Sequence, residues 1–136
     1  MKKEFVVILD DDHDDSALLE ESFHKYHTLE VQAFDTPSKL LHFLDQQEGH
    51  QVALFVIDLN LPEMSGTEVI SLIKTRQRFD NVPILVFTTG GTPAEKQFCE
   101  KNNIEKIRKP ATIQGWESFA FVMAAHCDPR LARAKI

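Results

Sequence analysis

Five polar residues stand where apolar runs of the chain end, and their types could carry chemistry. Asp10 and Asp11 follow the first apolar run, and Asp58 follows a run of six apolar residues. Thr88 ends a third run, and Lys109 follows a fourth, more mixed one. Neighbouring carboxylates resist ionisation beside one another unless a cation neutralises them, whereas a hydroxyl and an ammonium can bind phosphoryl oxygens. Together these residue types predict a site for a divalent cation and a phosphoryl group.

The apolar runs alternate with segments of helical periodicity, which predicts five strands and five helices. The run at 52–57 is wholly apolar, as expected of a strand buried on both faces of a parallel sheet. The run at 29–34 alternates apolar and polar residues, as an edge strand does. The strands are predicted at 5–9, 29–34, 52–57, 83–88 and 104–108, and the helices at 16–26, 36–48, 66–78, 92–102 and 112–126.

The alternation of strand and helix predicts a doubly wound α/β fold. We expect a five-stranded parallel sheet in the order 2-1-3-4-5, with helices on both faces. Strands one and three are then neighbours, so Asp10 and Asp11 lie beside Asp58. Thr88 and Lys109 end strands four and five on the same rim. All five side chains are therefore expected in one crevice at the carboxyl ends of the strands, where open α/β sheets bind ligands.

Magnesium suits this predicted ligand set, because it takes a few carboxylates, a carbonyl oxygen and waters, with phosphate completing its octahedron. Asn60, two residues after Asp58, can offer its main-chain carbonyl. Aspartate is also a covalent acceptor of phosphoryl groups. The Thr88 hydroxyl can donate to a phosphoryl oxygen, and Lys109 together with Mg²⁺ can neutralise the charge of the transferring group. The site is therefore equipped to hold an aspartyl phosphate.

Four motifs in this order carry a family resemblance. VILDDD at 7–12, IDLNLPEMSG at 57–66, FTT at 87–89 and KP at 109–110 resemble the signature of response-regulator receiver domains of two-component signalling. The resemblance includes chemotaxis-regulator-like members of that family and extends over residues 4 to about 126. It implies a flavodoxin-like fold with the strand order given above.

The resemblance also implies roles for the site residues. Asp58 would accept phosphate from a phosphohistidine on a sensor histidine kinase or phosphotransfer protein. The implied enzyme activity is at most Mg²⁺-dependent self-phosphorylation from small donors and slow self-dephosphorylation. The implied output is contact with a downstream protein at the face of helix four, strand five and helix five. The family's Mg²⁺ ligands and phosphate-reading residues map onto Asp10, Asp11, Asp58, the Asn60 main-chain carbonyl, Thr88 and Lys109.

The chain departs from the family pattern on the predicted output side. Lys106 stands three places before Lys109, where many members have an aromatic residue. An Asn102-Asn103 pair replaces the usual Gly-Ala pair before strand five, and Ala111 replaces an aromatic residue. We therefore expect phosphorylation to change the presentation of charge on this face more than the burial of a ring.

Three other interpretations of the acidic motifs remain. Asp10, Asp12, Asp14 and Glu21 have EF-hand spacing, but Asp15 occupies the glycine position and a strand precedes the motif. Asp58-Leu59-Asn60 is similar to the motif of haloacid-dehalogenase-like phosphatases, but their general acid is replaced by Asn60 and no cap domain follows. The third is a phosphorylation-independent binding module on the same fold, against which the intact acidic pair, threonine and lysine argue.

Composition sets the class of protein. The chain has 136 residues, 43% hydrophobic and 26% charged, and a net charge of -6. We expect a receiver domain at 1–126 and a short tail at 127–136, with no DNA-binding domain and no direct DNA binding. The longest apolar run, at 119–125, is too short to span a membrane, so we expect no membrane contact and a cytoplasmic protein. Cys99 and Cys127 are expected to be reduced and structural, and the sequence leaves a homodimer open.

Overall fold

A computed structural model describes residues 4–47 and 51–127 of the chain. Five parallel strands, numbered along the chain, form one sheet in the order 2-1-3-4-5, which confirms the predicted fold class and strand order. The strands are β1 (Glu4–Leu9), β2 (Leu29–Phe34), β3 (Val52–Asp58), β4 (Ile84–Thr88) and β5 (Glu105–Arg108).

Helices cover both faces of the sheet, because the central strands are apolar on both sides. Val6 and Ile8 point into a core shared with the first and fifth helices, whereas Val7 and Leu9 point into a second core shared with the second, third and fourth helices. Each of these four side chains is fully buried. The helices are α1 (His13–Ser22), α2 (Pro37–Asp45), α3 (Gly66–Lys74), α4 (Pro93–Lys101) and α5 (Ile113–Cys127), with a short 3-10 turn at Gln77–Phe79.

The first helix begins and ends earlier than its predicted bounds of 16–26. Asp12 caps it, because the Asp12 carboxylate accepts hydrogen bonds from the backbone N–H groups of Asp14 and Asp15 at 3.0 and 3.1 Å. The periodic apolar residues on which the prediction rested mark the face of the helix that packs on the core, not its ends. The aspartates that follow the first strand therefore belong partly to the helix and not only to the loop.

Other helix boundaries follow their capping residues. Thr36 caps α2, and Thr92 and Glu95 form a capping box at the start of α4. Asn103, after α4, has φ 58°, a left-handed conformation that asparagine tolerates. The last helix includes Cys127, one residue past the predicted boundary, and the rest of the predicted tail lies outside the described residues.

The register of the strands brings their ends to one rim. Leu9 pairs with Ile57, so Asp10, which follows β1, and Asp58, which ends β3, stand at the ends of neighbouring strands. Asp58 in turn pairs with Phe87. The predicted site residues therefore start from adjacent backbone positions at the carboxyl end of the sheet.

None of the helices in the described ranges is long and apolar enough to cross a membrane.

Candidate functional site

Asp58 is the last residue of β3 and lies at the carboxyl end of the sheet, where the sequence predicts the site. It is 3% exposed, and the backbone N–H of Asn60 donates to its Oδ1 at 3.0 Å. The loop after it folds back tightly, since the Gly66 N–H donates to the Leu59 carbonyl at 3.1 Å. A Cβ at Gly66 would lie 2.6 Å from both the Asp58 carbonyl oxygen and the Leu59 Cα. Glycine at position 66 therefore allows the loop that fixes the plane of the Asp58 carboxylate.

Two further carboxylates share the crevice with Asp58. Oxygens of Asp10, Asp11 and Asp58 all lie within 4.8 Å of one another. Asp10 is fully buried and Asp11 is exposed. Burial raises the pKa of Asp10 to about 7 and Asp58 adds to the rise, although hydrogen bonds from the Asp12 N–H and Lys109 oppose it. This concentration of oxygen ligands and negative charge fits a hard divalent cation such as Mg²⁺.

Lys109 supplies the positive charge on the other side of Asp58. Its Nζ lies 2.9 Å from Asp10 Oδ2, 2.9 Å from Asp15 Oδ2 and 3.2 Å from Asp58 Oδ2. The ammonium also lies 5.0 Å from the centroid of the Phe87 ring. Burial alone would lower the pKa of Lys109, but hydrogen bonds to Asp15 and Asp10 raise it above its ordinary value. The lysine is therefore a fixed cation held between carboxylates.

Thr88 lies on the same rim, but its hydroxyl is engaged by its own turn. It is 2% exposed, and its Oγ1 donates to the Gly90 carbonyl and accepts from the Gly90 N–H at 3.2 Å. The Asn60 side-chain amide donates to the same oxygen at 3.3 Å. The structure thus gathers the carboxylates and Lys109 directly, whereas it connects Thr88 to Asp58 through Asn60. The predicted metal-binding role of the Asn60 carbonyl stays a prediction.

One residue of the cluster was not predicted as a site residue. In the sequence, Asp15 occupies the glycine position of the EF-hand alternative, whereas the structure places its carboxylate 2.9 Å from Lys109 Nζ. The available signal was the capping residue Asp12. Had Asp12 been identified as the N-cap, the helix would have been predicted to begin at residue 13. Asp15 would then lie in its first turn, next to the rim.

Lys106, the chief departure from the family pattern, lies over the turn between β4 and α4. A Cβ at Gly91 would collide with Lys106 Nζ and lie 2.8 Å from its Cε. The lysine side chain is partly buried. The ammonium that replaces an aromatic ring therefore rests against the backbone of the turn that follows Thr88.

The EF-hand interpretation is wrong. Asp12 is used as a helix cap, and a strand precedes the motif where an EF-hand needs a helix. Within residues 4–47 and 51–127, the one group of acidic, histidine or cysteine side chains close enough to share a metal ion is Asp10, Asp11 and Asp58. Asp10 and Asp11 follow β1 and Asp58 ends β3, so the group does not come from a single loop as in an EF-hand.

Sequence comparison identifies relatives of the chain. A family model described as the response regulator receiver domain matches residues 6–115. A two-component response regulator of Oryza sativa subsp. japonica is 26% identical over 114 residues, 83% of this chain and 92% of that protein. A chemotaxis protein CheY homolog of Campylobacter jejuni is 31% identical over 68 residues, 49% of this chain and 52% of that protein. A probable cyclic di-GMP phosphodiesterase of Vibrio cholerae is 28% identical over 109 residues, 79% of this chain but 24% of that protein.

Solved structures share the fold. The phosphorylated cyanobacterial phytochrome response regulator RcpA superposes with a TM-score of 0.79 at 19% identity, over 92% of this chain and 94% of that one. The Mn²⁺-bound form of response regulator Rcp1 gives 0.74 at 22% identity, over 90% and 92%. The family match extends over most of the chain, and the chain therefore belongs to the response regulator receiver domains of two-component signalling.

Proposed function

We propose that Asp58 accepts a phosphoryl group from a phosphohistidine of a sensor histidine kinase or phosphotransfer protein. The observation that carries this proposal is the position of the Asp58 carboxylate, buried at the end of β3 between an acidic pair and a lysine. Carboxylates of Asp10 and Asp11 lie within 4.8 Å of it, and the Lys109 ammonium lies 3.2 Å from it. This arrangement joins a nucleophile, cation ligands and a fixed positive charge in one crevice.

Asp10, Asp11, Asp58 and the Asn60 main-chain carbonyl would hold Mg²⁺. The donor set fits, because three carboxylates converge and Lys109 alone cannot neutralise them. A receiver-fold neighbour has been solved with Mn²⁺ bound, which supports a divalent cation here as well. Bound Mg²⁺ supplies neutralisation of the charge on the transferring phosphoryl group.

The chain's own residues would carry the transfer. An Asp58 carboxylate oxygen forms a bond to phosphorus as the phosphorus–nitrogen bond breaks, and the donor imidazole, protonated on its other nitrogen, leaves as neutral imidazole with the electron pair of that bond. The Asn60 N–H holds the plane of the Asp58 carboxylate during the attack. Lys109 and the Thr88 hydroxyl would then pair with phosphoryl oxygens. Thr88 must leave the Gly90 carbonyl to do so, which couples phosphorylation to the β4–α4 turn.

The proposed output is a contact with a downstream protein target at the face formed by α4, β5 and α5. A phosphoryl group acts on this face by favouring one of two arrangements of the neighbouring loops. We propose that residues 1–126 form the receiver unit. We also propose that the protein acts as a phosphoacceptor and does not turn over a substrate. Because the donor kinase draws its phosphate from ATP, we expect the exchange to take place in the cytoplasm.

The test is incorporation of phosphate from acetyl phosphate with Mg²⁺, followed by intact mass. We expect wild type and Asp14→Asn to gain one phosphoryl group, and Asp58→Asn or wild type in EDTA to gain none. A gain by Asp58→Asn as fast as by wild type would refute the assignment. An inert wild type that still binds a partner would favour the phosphorylation-independent module. Release of many phosphates per chain would favour a phosphatase of the haloacid-dehalogenase type.

A further inference from the structure

The contacts of Lys109 lead to a role for Asp15, a residue outside the nucleophile and the cation ligands. We infer that Asp15 is a positioning residue that holds the Lys109 ammonium in the unphosphorylated protein and competes for it with the phosphoryl group. This inference rests on the proposed phosphorylation of Asp58. It predicts that Asp15 sets the balance between the resting and phosphorylated arrangements.

The hydrogen bonds of the ammonium are fully used in this structure. A lysine ammonium has three N–H donors, and Lys109 Nζ has three carboxylate partners, Asp10, Asp15 and Asp58, at 2.9 to 3.2 Å. The lysine side chain is 9% exposed and that of Asp15 is 20% exposed. Lys109 therefore has no spare donor for a phosphoryl oxygen, and it must give up at least one carboxylate to make a new bond.

Asp15 differs from the other two partners of the lysine. Asp10 and Asp58 belong to the group that would hold the cation, and Asp58 would carry the phosphoryl group, whereas Asp15 is outside that group. A cation held by Asp10, Asp11 and Asp58 would compete with the ammonium for the Asp10 and Asp58 carboxylates. Asp15 then remains as the partner that keeps Lys109 in its resting position.

The backbone makes Asp15 a fixed partner. It stands in the first turn of α1, and its N–H donates to the Asp12 carboxylate at 3.1 Å. The ion pair between Asp15 and Lys109 therefore ties the residue after β5 to the start of α1. Because the Asp15 backbone is held in this capped turn, a shift of Lys109 toward a phosphoryl group would lengthen or break the contact.

The neighbouring Asp14 offers a matched control. It lies in the same first turn, carries the same charge and is exposed. The carboxylates that contact Lys109 in the described part of the chain do not include Asp14. Asp15→Asn and Asp14→Asn each remove one negative charge close to the site, but Asp15→Asn alone weakens the hold on Lys109. Comparison of the two separates the contact from the general electrostatic effect.

The experiment measures beryllofluoride affinity with Mg²⁺ and the rate of phosphorylation by acetyl phosphate. We expect Asp15→Asn to bind beryllofluoride about three- to tenfold more tightly than wild type, the size of the net contribution of one hydrogen bond. Asp14→Asn is expected within about twofold of wild type, since an exposed charge is screened. In a Lys109→Ala background, Asp15→Asn should change the affinity by less than about twofold.

The outcomes are separable. Equal effects of Asp14→Asn and Asp15→Asn, or weaker binding by Asp15→Asn, would overturn the role of Asp15 and leave the phosphorylation of Asp58 intact. A wild type that neither binds beryllofluoride nor takes phosphate would overturn both proposals. Thermal melting checks that each variant is folded. If Asp15→Asn does not fold, Asp15→Ser takes its place in the comparison.

Discussion

The backbone N–H of Lys109 donates to the carbonyl oxygen of Thr88 at 2.8 Å. This hydrogen bond extends the pairing of β4 with β5 one residue beyond Arg108, the partner of Thr88 in the sheet. The two residues proposed to contact the phosphoryl group are thus joined through their main chains as well as through the site. A shift of the turn after Thr88 should therefore also move the backbone of Lys109 and the start of the loop to α5.

The Thr88 hydroxyl provides a direct test of this coupling. Thr88→Val keeps the shape of the side chain but removes the partner of the Gly90 carbonyl and the Asn60 amide. We expect a loss of about 1–2 kcal/mol in the free energy of unfolding, the cost of leaving such groups unpaired. Phosphorylation of Asp58 should persist, whereas the beryllofluoride-induced shifts of amides 88–91 should shrink. Thr89→Val, at an exposed neighbouring position, is the control and should leave those shifts at wild-type size.

Metal binding should depend on Asp11. Mg²⁺ is expected to raise the melting temperature of wild type by mass action, since the unfolded chain cannot assemble the three carboxylates. Asp11→Asn removes one ligand oxygen and part of the repulsion that the cation relieves, so most of the shift should disappear. Asp14→Asn should keep it. An equal Mg²⁺-induced shift in wild type and Asp11→Asn would exclude Asp11 as a ligand.

Gly66 and Gly90 should respond oppositely to a methyl group. A Cβ at Gly66 meets the backbone of Asp58 and Leu59 at 2.6 Å, and backbone atoms cannot move without distorting the loop. We expect Gly66→Ala to lose about 2 kcal/mol in the free energy of unfolding and to phosphorylate poorly. A Cβ at Gly90 has no neighbour within 4 Å, so Gly90→Ala should be neutral. Chemical denaturation and acetyl phosphate labelling of both variants check this contrast.

The sequence predicted the fold and the main site residues because both depend on periodicity. Apolar runs locate the strands, the strand order locates their ends, and Asp10, Asp58 and Lys109 stand at those ends. Asp15 was not predicted as a site residue because its position depends on where the first helix begins. The cap at Asp12 starts that helix earlier than the apolar pattern predicts. Periodicity describes faces of elements well and their boundaries poorly.

The hydroxyl of Thr88 and the side chain of Lys106 could not be placed from sequence for another reason. Each depends on the conformation of the turn between β4 and α4, where Thr88 binds Gly90 and Lys106 covers Gly91. Glycines permit many backbone conformations, so the pattern of residues did not specify one of them. The family resemblance gave the role of Thr88, but the state of the turn is a property of the packed structure.

Loss of Lys109 should affect stability and signalling differently. Lys109→Ala leaves Asp10, Asp15 and Asp58 without their cation in a mostly buried site, and we expect a loss of about 3 kcal/mol without Mg²⁺. Added Mg²⁺ should recover part of this loss, because the metal can neutralise the same carboxylates. Lys96→Ala, on the exposed surface of α4, should be near neutral. Thermal or chemical denaturation with EDTA and with Mg²⁺ gives the comparison.

The same variant tests how phosphorylation reaches the output face. Lys109→Ala should still take some phosphate at Asp58, since the nucleophile and the cation ligands remain. Without the ammonium, no ion pair with the phosphoryl oxygens stabilises the shifted arrangement of the loops. Amide spectra with and without beryllofluoride are therefore expected to differ little in the variant. Wild-type shifts in Lys109→Ala would mean that the lysine does not transmit the signal.

The output face should respond through Lys106. Its ammonium rests against Gly91, so a movement of the β4–α4 turn changes where that charge is presented. Partner binding at α4, β5 and α5 is then expected to be sensitive to salt, and Lys106→Glu should weaken it without changing the phosphorylation of Asp58. Lys25→Glu, an equal change of charge between α1 and β2, should leave partner binding unchanged.

Hydrogen exchange with and without beryllofluoride locates the response independently of any partner. We expect altered exchange across residues 92–108, because the turn that Thr88 must release leads directly into α4 and lies under Lys106. Lys106→Glu should alter the response at the turn and in β5 while the rim around Asp58 behaves as in wild type. Changes confined to that rim in the wild-type protein, with none in 92–108, would place the output on another surface.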